Sequence, residues 1–137
     1  MILSGLLLIN SSPTSTGKGS NMREIKFRAW DEYNKRIVWP EVLVFKGDKV
    51  YPMYSDKVRI LMQYTGLKDK NGKEIYEGDI IQVRQGFVSF TDVVEFRDAE
   101  FLFKHQDQFD NDTSLLPFVR DGEIIGNIYS NPELLKT

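Results

Sequence analysis

Three acidic residues that lie close together, Glu74, Glu77 and Asp79, are the first candidates for chemistry in this sequence. Two carboxylates that flank a scissile bond can hydrolyse a glycoside, one acting as acid and the other as base or nucleophile. That reaction needs a defined separation of the two groups and a cleft for the substrate, and no motif here positions a substrate. A carboxylate-based hydrolase is therefore an alternative function, and we expect these acids to serve a solvated turn.

His105 is the single histidine and follows an apolar run at residues 101–103. We expect an exposed or hydrogen-bonded side chain there rather than a general base. The chain has no cysteine, which excludes disulfides, thiolate nucleophiles and cysteine-based zinc sites. The acidic residues Asp107, Asp110 and Asp112 lack the spacing and the glycine of an EF-hand calcium loop. We therefore predict no catalytic residues, no metal site and no cofactor, so that the protein is not an enzyme.

Cationic and aromatic residues alternate in the first predicted strand of the main domain, at Lys26, Arg28 and Trp30. Alternate residues of a strand share one face, and aromatic rings between cations can stack on bases while the cations neutralise phosphates. Arg28 could instead stack on Trp30 or Trp39 for structural reasons alone. The candidate binding residues are Lys26, Arg28, Trp30, Trp39, Lys57 and Arg59, and Lys57 and Arg59 would extend the patch if their strand lies beside the first one. A nucleic-acid-binding β-barrel is the alternative function that this patch supports.

The composition is that of a globular protein with a modest negative charge. A chain of 137 residues, 41% of them hydrophobic, is expected to form one domain with a substantial core. The formal net charge of −2 counts against a general nucleic-acid binder, because such proteins usually carry a basic field. A protein partner is therefore favoured over nucleic acid.

The first 21 residues differ from the rest of the chain. An apolar run at residues 2–9 precedes a stretch rich in Ser, Thr and Gly, and Lys18 is the one charged residue. The run is too short to span a bilayer and lacks the basic start of a secretory signal, and residues 15–20 do not fit the phosphate-loop pattern. We predict that residues 1–21 are a leader outside the core, either an extension before a natural start at Met22 or a packing strand. Residues 22–137 are predicted to form a single β domain.

Turn signals are densest in residues 64–81. The dipeptide Asn71-Gly72 predicts a two-residue hairpin turn of type I′, in which both central residues have positive φ. Gly78 lets the chain bend into the apolar strand that follows, and the Asp79 carboxylate can accept backbone amide hydrogen bonds that hold the bend. The residues assigned to this structural turn motif are Gly66, Asn71, Gly72, Glu77, Gly78 and Asp79.

Short alternating segments separated by turns continue through the chain, and no long helical period is present. Such spacing is typical of a barrel or a sandwich. We predict a mainly β fold, a small and partly open β-barrel with SH3-like elements built from hairpins. Residues 115–119 are one of the expected strands. A short helical turn is expected at the C-terminus, capped by Asn131 and beginning at Pro132.

Three segments together resemble the YopX family of phage and prophage proteins. They are REIKFRAWD at residues 23–31, MQYTGLKDKNGKEIYEGDI at residues 62–80 and IGNIYSNPELL at residues 125–135. The resemblance implies a β-rich gene product that acts inside a bacterial host, and it suggests a homo-oligomer. It supplies no established reaction and no catalytic residues. The leader before Met22 is not part of the pattern.

These observations favour one function over the others. We expect an accessory protein of phage or prophage origin, located in the cytoplasm of the bacterial host and not associated with a membrane. It would act as a small β-rich module that binds a host or phage protein, and self-assembly is an added expectation.

Overall fold

The computed structural model describes residues 4–8, 24–40, 42–52, 58–105, 114–115 and 117–136. These residues are mainly β, with one 3-10 helix and no other helix among them, and one sheet forms a curled half-barrel. The predicted fold class is therefore confirmed. The chain divides into two compact units, Met1–Gln63 and Tyr64–Thr137. The assignment of residues 1–21 to a leader and residues 22–137 to a single domain stays a prediction.

The first unit is built from short antiparallel strands. They are β1 (Ser4–Leu8), β2 (Phe27–Asp31), β3 (Arg36–Val38), β4 (Val42–Lys46), β5 (Lys49–Pro52) and the first part of β6 (Val58–Lys68). One sheet has the order β1-β4-β5, so part of the leader pairs with β4. Pro52 lies on the edge strand of this sheet, where a missing backbone N–H leaves no gap in the ladder.

Strand β2 lies between β3 and β6 and is connected to β3 by a turn that Asp31 organises. The Asp31 carboxylate accepts hydrogen bonds from the backbone amides of Tyr33 and Asn34, both at 3.0 Å. The side-chain amide of Asn34 donates to the same carboxylate at 2.7 Å, and this bond is the largest cause that lowers the pKa of Asp31. Lys35 closes the turn with a φ of +53°.

The second unit contains the end of β6 and five further strands. These are β7 (Glu74–Tyr76), β8 (Asp79–Gln85), β9 (Val88–Arg97), β10 (Glu100–Phe103) and β11 (Gly122–Asn127), followed by a 3-10 helix (Pro132–Leu135). An antiparallel sheet has the order β10-β9-β8-β11. The end of β6 pairs with β7, and the 3-10 helix packs against β9.

The core of the second unit lies on one face of its sheet. Alternate residues of β8 and β9 point to this face, and they meet side chains of β10 and of Leu115, Phe118 and Val119. The buried cluster consists of Ile75, Ile81, Val83, Val94, Phe103, Leu115 and Val119. Phe90 contacts the rings of Phe103 and Phe118 edge to face, at centroid distances of 5.1 and 5.3 Å. These contacts hold the chain that precedes β11 against the sheet.

Two tight hairpins border β9, and they use different turns. Gly86 and Phe87 connect β8 to β9, and Gly86 has a φ of +58°. Asp98 and Ala99 connect β9 to β10, and both have positive φ, +53° and +65°. Positive φ at both central residues is the type I′ pattern, which twists in the sense that the strands require. Ala99 therefore occupies a conformation that L residues other than Asn and Asp rarely adopt.

We expect the substitution Ala99→Gly to raise the free energy of unfolding by about 1 kcal/mol, because glycine relieves the left-handed strain at a modest cost in entropy. Urea denaturation measures the change. The matched control is Gly86→Ala, which introduces the same strain at a tip where a methyl group meets nothing within 4 Å. It should lower the free energy of unfolding by about 1 kcal/mol. An Ala99→Gly variant no more stable than the wild type would contradict the expectation.

Two local predictions are wrong. The described residues within 115–119 do not form the expected strand, because they follow a series of turns in which the Phe118 amide donates to the Leu115 carbonyl at 3.0 Å. The C-terminal helical turn is present and begins at Pro132, but the Asn131 side chain does not cap it. The Asn131 carboxamide oxygen instead accepts a hydrogen bond from the Asn127 amide at 3.4 Å.

Candidate functional site

The turn between β6 and β7 is organised by Asp69, a residue that the sequence motif contains but whose role was not predicted. The Asp69 carbonyl accepts a hydrogen bond from the Gly72 amide at 3.0 Å. Gly72 has a φ of +80°, whereas Asn71 does not have positive φ. The predicted type I′ turn is therefore wrong, and the geometry is that of a three-residue loop with a left-handed glycine at a bulge. Aspartate at the first position of a turn and glycine at the fourth, here Asp69 and Gly72, are the sequence signal for this geometry.

The Asp69 side chain is 6% exposed and binds backbone from two parts of the chain. Its Oδ1 accepts hydrogen bonds from the amides of Asn71 and Lys73, each at 2.9 Å. Its Oδ2 accepts one from the amide of Ile124 at 3.0 Å. The Lys70 amide also donates to the Gly122 carbonyl at 2.9 Å. The β6–β7 turn is thus attached to β11, on the edge that does not pair with β8.

The bend from β7 into β8 has the features expected from the sequence. Gly78 has a φ of +83° and donates its amide to the Val94 carbonyl at 2.9 Å. The buried Asp79 carboxylate accepts a hydrogen bond from the Tyr76 amide at 2.8 Å. Gly66, with a φ of +86°, lies where the register of β6 with β7 shifts.

The three acids proposed for a hydrolase have structural contacts. Glu74 accepts a hydrogen bond from the Tyr76 hydroxyl at 3.1 Å, Glu77 is half-buried in the turn between β7 and β8, and Asp79 is 2% exposed. A carboxylate that holds a bend by accepting a backbone amide is part of the scaffold. Whether the protein has any catalytic activity stays a prediction.

The structure does not place the predicted cationic and aromatic residues of β2 on an exposed face. Arg28 is 7% exposed and Trp30 is 3% exposed. The Trp30 indole N–H donates to the Glu32 carboxylate at 2.6 Å, and the ammonium group of Lys26 lies 2.7 Å from the Glu24 carboxylate. Because β2 is buried on both faces, neither Arg28 nor Trp30 offers an open plane for a base in this conformation. Alternation along a strand predicts which residues share a face, but not whether that face is covered.

Of the other three predicted binding residues, the structure describes the side chain of Trp39 alone. Trp39 follows β3 and is 55% exposed. Lys57 lies outside the described residues, and for Arg59 the structure describes the backbone within β6. The acidic residues Asp107, Asp110 and Asp112 also lie outside the described residues. The assignment of a binding role to the six residues of the predicted patch stays a prediction.

His105 is paired with a buried aspartate. The Asp92 side chain is fully buried and accepts hydrogen bonds from the amides of Val93 and His105, each at 2.7 Å. Nδ1 of the His105 imidazole lies 2.8 Å from Asp92 Oδ1. The His105 side chain is otherwise largely exposed. The imidazole of His105 therefore has a hydrogen-bond partner, as predicted from the sequence.

A polar cleft in the second unit was not predicted from the sequence. It has a volume of about 230 Å³ and lies at the edge of the sheet formed by β8 and β11. Its lining combines the β6–β7 turn, the outward-facing residues of β8 and the turn that leads into β11. The residues that line it are Lys70, Gln82, Arg84, Arg120, Asp121 and Glu123.

An exposed apolar residue, Phe87, follows the strand β8 that supplies part of the cleft lining. A second hollow shares Arg120 and Asp121 with the first and adds Gln85 and Pro117. Phe87 follows Gln85 by two residues, so its Cα lies within about 7 Å of that of Gln85. Phe87 is fully exposed at the tip of the β8–β9 hairpin. The cleft and this ring together are the candidate functional site.

The described ranges contain neither a metal-binding cluster nor a membrane-spanning helix. Within them, His, Asp and Glu side chains form no group of three or more that could hold a metal ion. Nor does that part of the chain contain a helix with the length and apolar character needed to cross a bilayer.

The fold and the cleft define a small, mainly β protein with a polar, charge-lined surface site. A sequence model of the family described as YopX protein matches residues 26–136, and the chain belongs to this family. Among solved structures, the chain is similar to the crystal structure of protein EF1440 from Enterococcus faecalis, with a TM-score of 0.56 and 27% identity. The match covers 82% of this chain and 98% of that one. A comparison with curated proteins finds no match.

Proposed function

We propose that this protein is a small β-rich module that binds another protein, with Phe87 as the central apolar contact. Family membership and the similarity to EF1440 support a β-rich protein of this kind. As part of the same proposal, the chain is an accessory protein of phage or prophage origin that acts in the cytoplasm of a bacterial host. Its partner is a host or phage protein.

The observation that carries the proposal is the exposure of Phe87 on a fixed support. A phenylalanine that is transferred from water into an interface contributes roughly 2 to 3 kcal/mol. The pairing of Gln85 with Val88 holds the backbone on both sides of the tip, so little conformational entropy of the hairpin is lost on binding. Aromatic residues and arginine are enriched in protein interfaces. The side chains of Arg84 and Arg120, in the adjoining cleft, complete such a surface.

Binding rather than catalysis is the role that the contacts favour. The carboxylates of Asp69, Asp79 and Asp92 are buried and accept backbone amides. Each of them stabilises a turn or a strand end, so these acids act in the scaffold. The cleft and Phe87, by contrast, are surface features that a partner can reach.

A photo-crosslinking amino acid at position 87 tests the proposal. With p-benzoylphenylalanine in place of Phe87, irradiation in the host cell should give one discrete adduct with a protein that mass spectrometry identifies. The matched control places the same amino acid at Lys136, which is exposed beyond the 3-10 helix. Affinity for the captured partner should fall about tenfold or more in Phe87→Ala, the loss typical of a central contact.

Three other outcomes would change the assignment. The same set of adducts from positions 87 and 136 would show that the contact is not specific to the hairpin tip. No adduct at position 87 would remove the support for this surface. An adduct between two copies of the chain would assign the surface to self-assembly.

A further inference from the structure

The cleft contains two cationic groups that form no ion pair with a described residue. The Lys70 ammonium group lies 3.2 Å from Oε2 of Glu123, so these two charges form a pair. Among the described residues, the guanidinium groups of Arg84 and Arg120 take part in no hydrogen bond and no ion pair, although both line the cleft. Guanidinium groups present several donors in a planar fork that matches an oxyanion.

The two arginines are carried by ordered backbone. Arg84 belongs to β8 and lies opposite Ser89 of β9. Arg120 lies in a turn where the Asp121 amide donates to the Phe118 carbonyl at 3.2 Å and the Gly122 amide donates to the Val119 carbonyl at 3.3 Å. The buried Val119 anchors this turn in the core, and strand pairing holds the backbone of Arg84. The backbone of both arginines is therefore positioned before a ligand binds, which limits the entropy lost on binding.

The charge balance in the cleft favours an anion with a single charge. Three cations, Lys70, Arg84 and Arg120, face two carboxylates, Asp121 and Glu123, so the lining has a net charge of +1. A carboxylate ligand neutralises this net charge and can accept two parallel hydrogen bonds from one guanidinium, whereas a phosphate dianion would leave the occupied cleft with a net charge of −1. The side-chain amide of Gln82 offers a further, uncharged donor.

We propose that the cleft binds the carboxylate of an aspartate or glutamate side chain in an exposed segment of the protein partner. This inference rests on the proposed function, since the partner is the one that Phe87 contacts. The carboxylate lies between Arg84 and Arg120, and an apolar residue of the same segment covers Phe87. The surface therefore selects a partner segment in which an acidic residue lies beside an apolar one.

The test titrates the isolated protein with N-acetylglutamate α-amide, which carries one carboxylate, and follows the Nε–Hε resonances of its arginines by NMR. N-acetylglutamine α-amide is the neutral control, and inorganic phosphate at pH 8 is the dianionic one. The carboxylate probe should shift the resonances of Arg84 and Arg120, and the neutral probe should not. Arg84→Gln and Arg120→Gln should each weaken the binding about tenfold, the loss expected for a charge-assisted hydrogen bond. Both residues are exposed, and unchanged backbone amide spectra will show that the variants remain folded.

Several results would overturn the inference. They are equal shifts with the neutral probe, no shift with the carboxylate probe, and unchanged affinity in both glutamine variants. Binding of phosphate that is tighter than binding of the carboxylate would overturn the choice of a singly charged ligand. The test does not involve Phe87, so a crosslinked partner together with a failed titration would leave the proposed function intact and reject the carboxylate.

Discussion

Replacing Asp69 with alanine is expected to lower the free energy of unfolding by about 3 kcal/mol, because three backbone amides lose a charged acceptor at once. Two of these amides, of Asn71 and Lys73, belong to exposed residues and regain hydrogen bonds to water. The third, of half-buried Ile124, regains them less easily. The conservative variant Asp69→Asn keeps one acceptor oxygen, so we expect it to lose about half as much stability.

Urea denaturation followed by far-ultraviolet circular dichroism measures the loss, and amide hydrogen exchange locates it. The Ile124 amide should exchange faster in Asp69→Ala than in the wild type. The matched control is Asp48→Ala, which removes the same charge from an exposed turn between β4 and β5. The free energy of unfolding of this surface variant should stay within about 0.5 kcal/mol of that of the wild type. Equal costs for the two alanine variants would contradict the role assigned to Asp69.

Replacing Asp92 with alanine is expected to lower the free energy of unfolding by about 3 kcal/mol, whereas His105→Ala should lower it by less than about 1 kcal/mol. The difference arises because Asp92 is fully buried and accepts two backbone amides in addition to the imidazole. Loss of the carboxylate leaves the Val93 and His105 amides without their acceptor. Loss of the exposed imidazole leaves the carboxylate with both backbone bonds.

The double variant Asp92→Ala/His105→Ala separates the side-chain pair from the backbone contacts. It should be about as unstable as Asp92→Ala alone, because the imidazole has no role once the carboxylate is gone. Urea denaturation of the wild type and the three variants completes the cycle. If His105→Ala cost as much as Asp92→Ala, the pair itself would account for the stability and the assignment to the backbone contacts would be wrong.

The sequence alone predicted the mainly β class, because the alternation of apolar and polar residues has the period of a strand and needs no distant contact. The hairpin at Gly86 has a local signal as well, because glycine adopts positive φ readily. The turn at Asn71 and Gly72 was predicted wrongly because the dipeptide was considered without Asp69, which begins the turn and accepts its backbone amides. Asp69 also binds the amide of Ile124, 55 residues further along the chain. A dipeptide rule cannot include that contact.

For the candidate functional site, too, local sequence patterns did not predict which side chains are buried. Arg28 and Trp30 are alternate residues of β2, and their burial depends on what covers both faces of that strand. The cleft was missed because Arg84 and Arg120 are distant in the sequence and only turns and strand pairing bring them to one lining. Neither arginine belongs to a motif.

By itself, the sequence determined that this is a mainly β chain with tight hairpins and a bend at Gly78, since backbone preferences and side-chain alternation act over a few residues. Only the tertiary structure decided which polar side chains became scaffold and which remained at the surface. Burial and long-range hydrogen bonds made Asp69 and Asp92 part of the framework, whereas Phe87, Arg84 and Arg120 stayed exposed at the surface. The physical reason is that exposure depends on packing between distant segments, which no local pattern encodes.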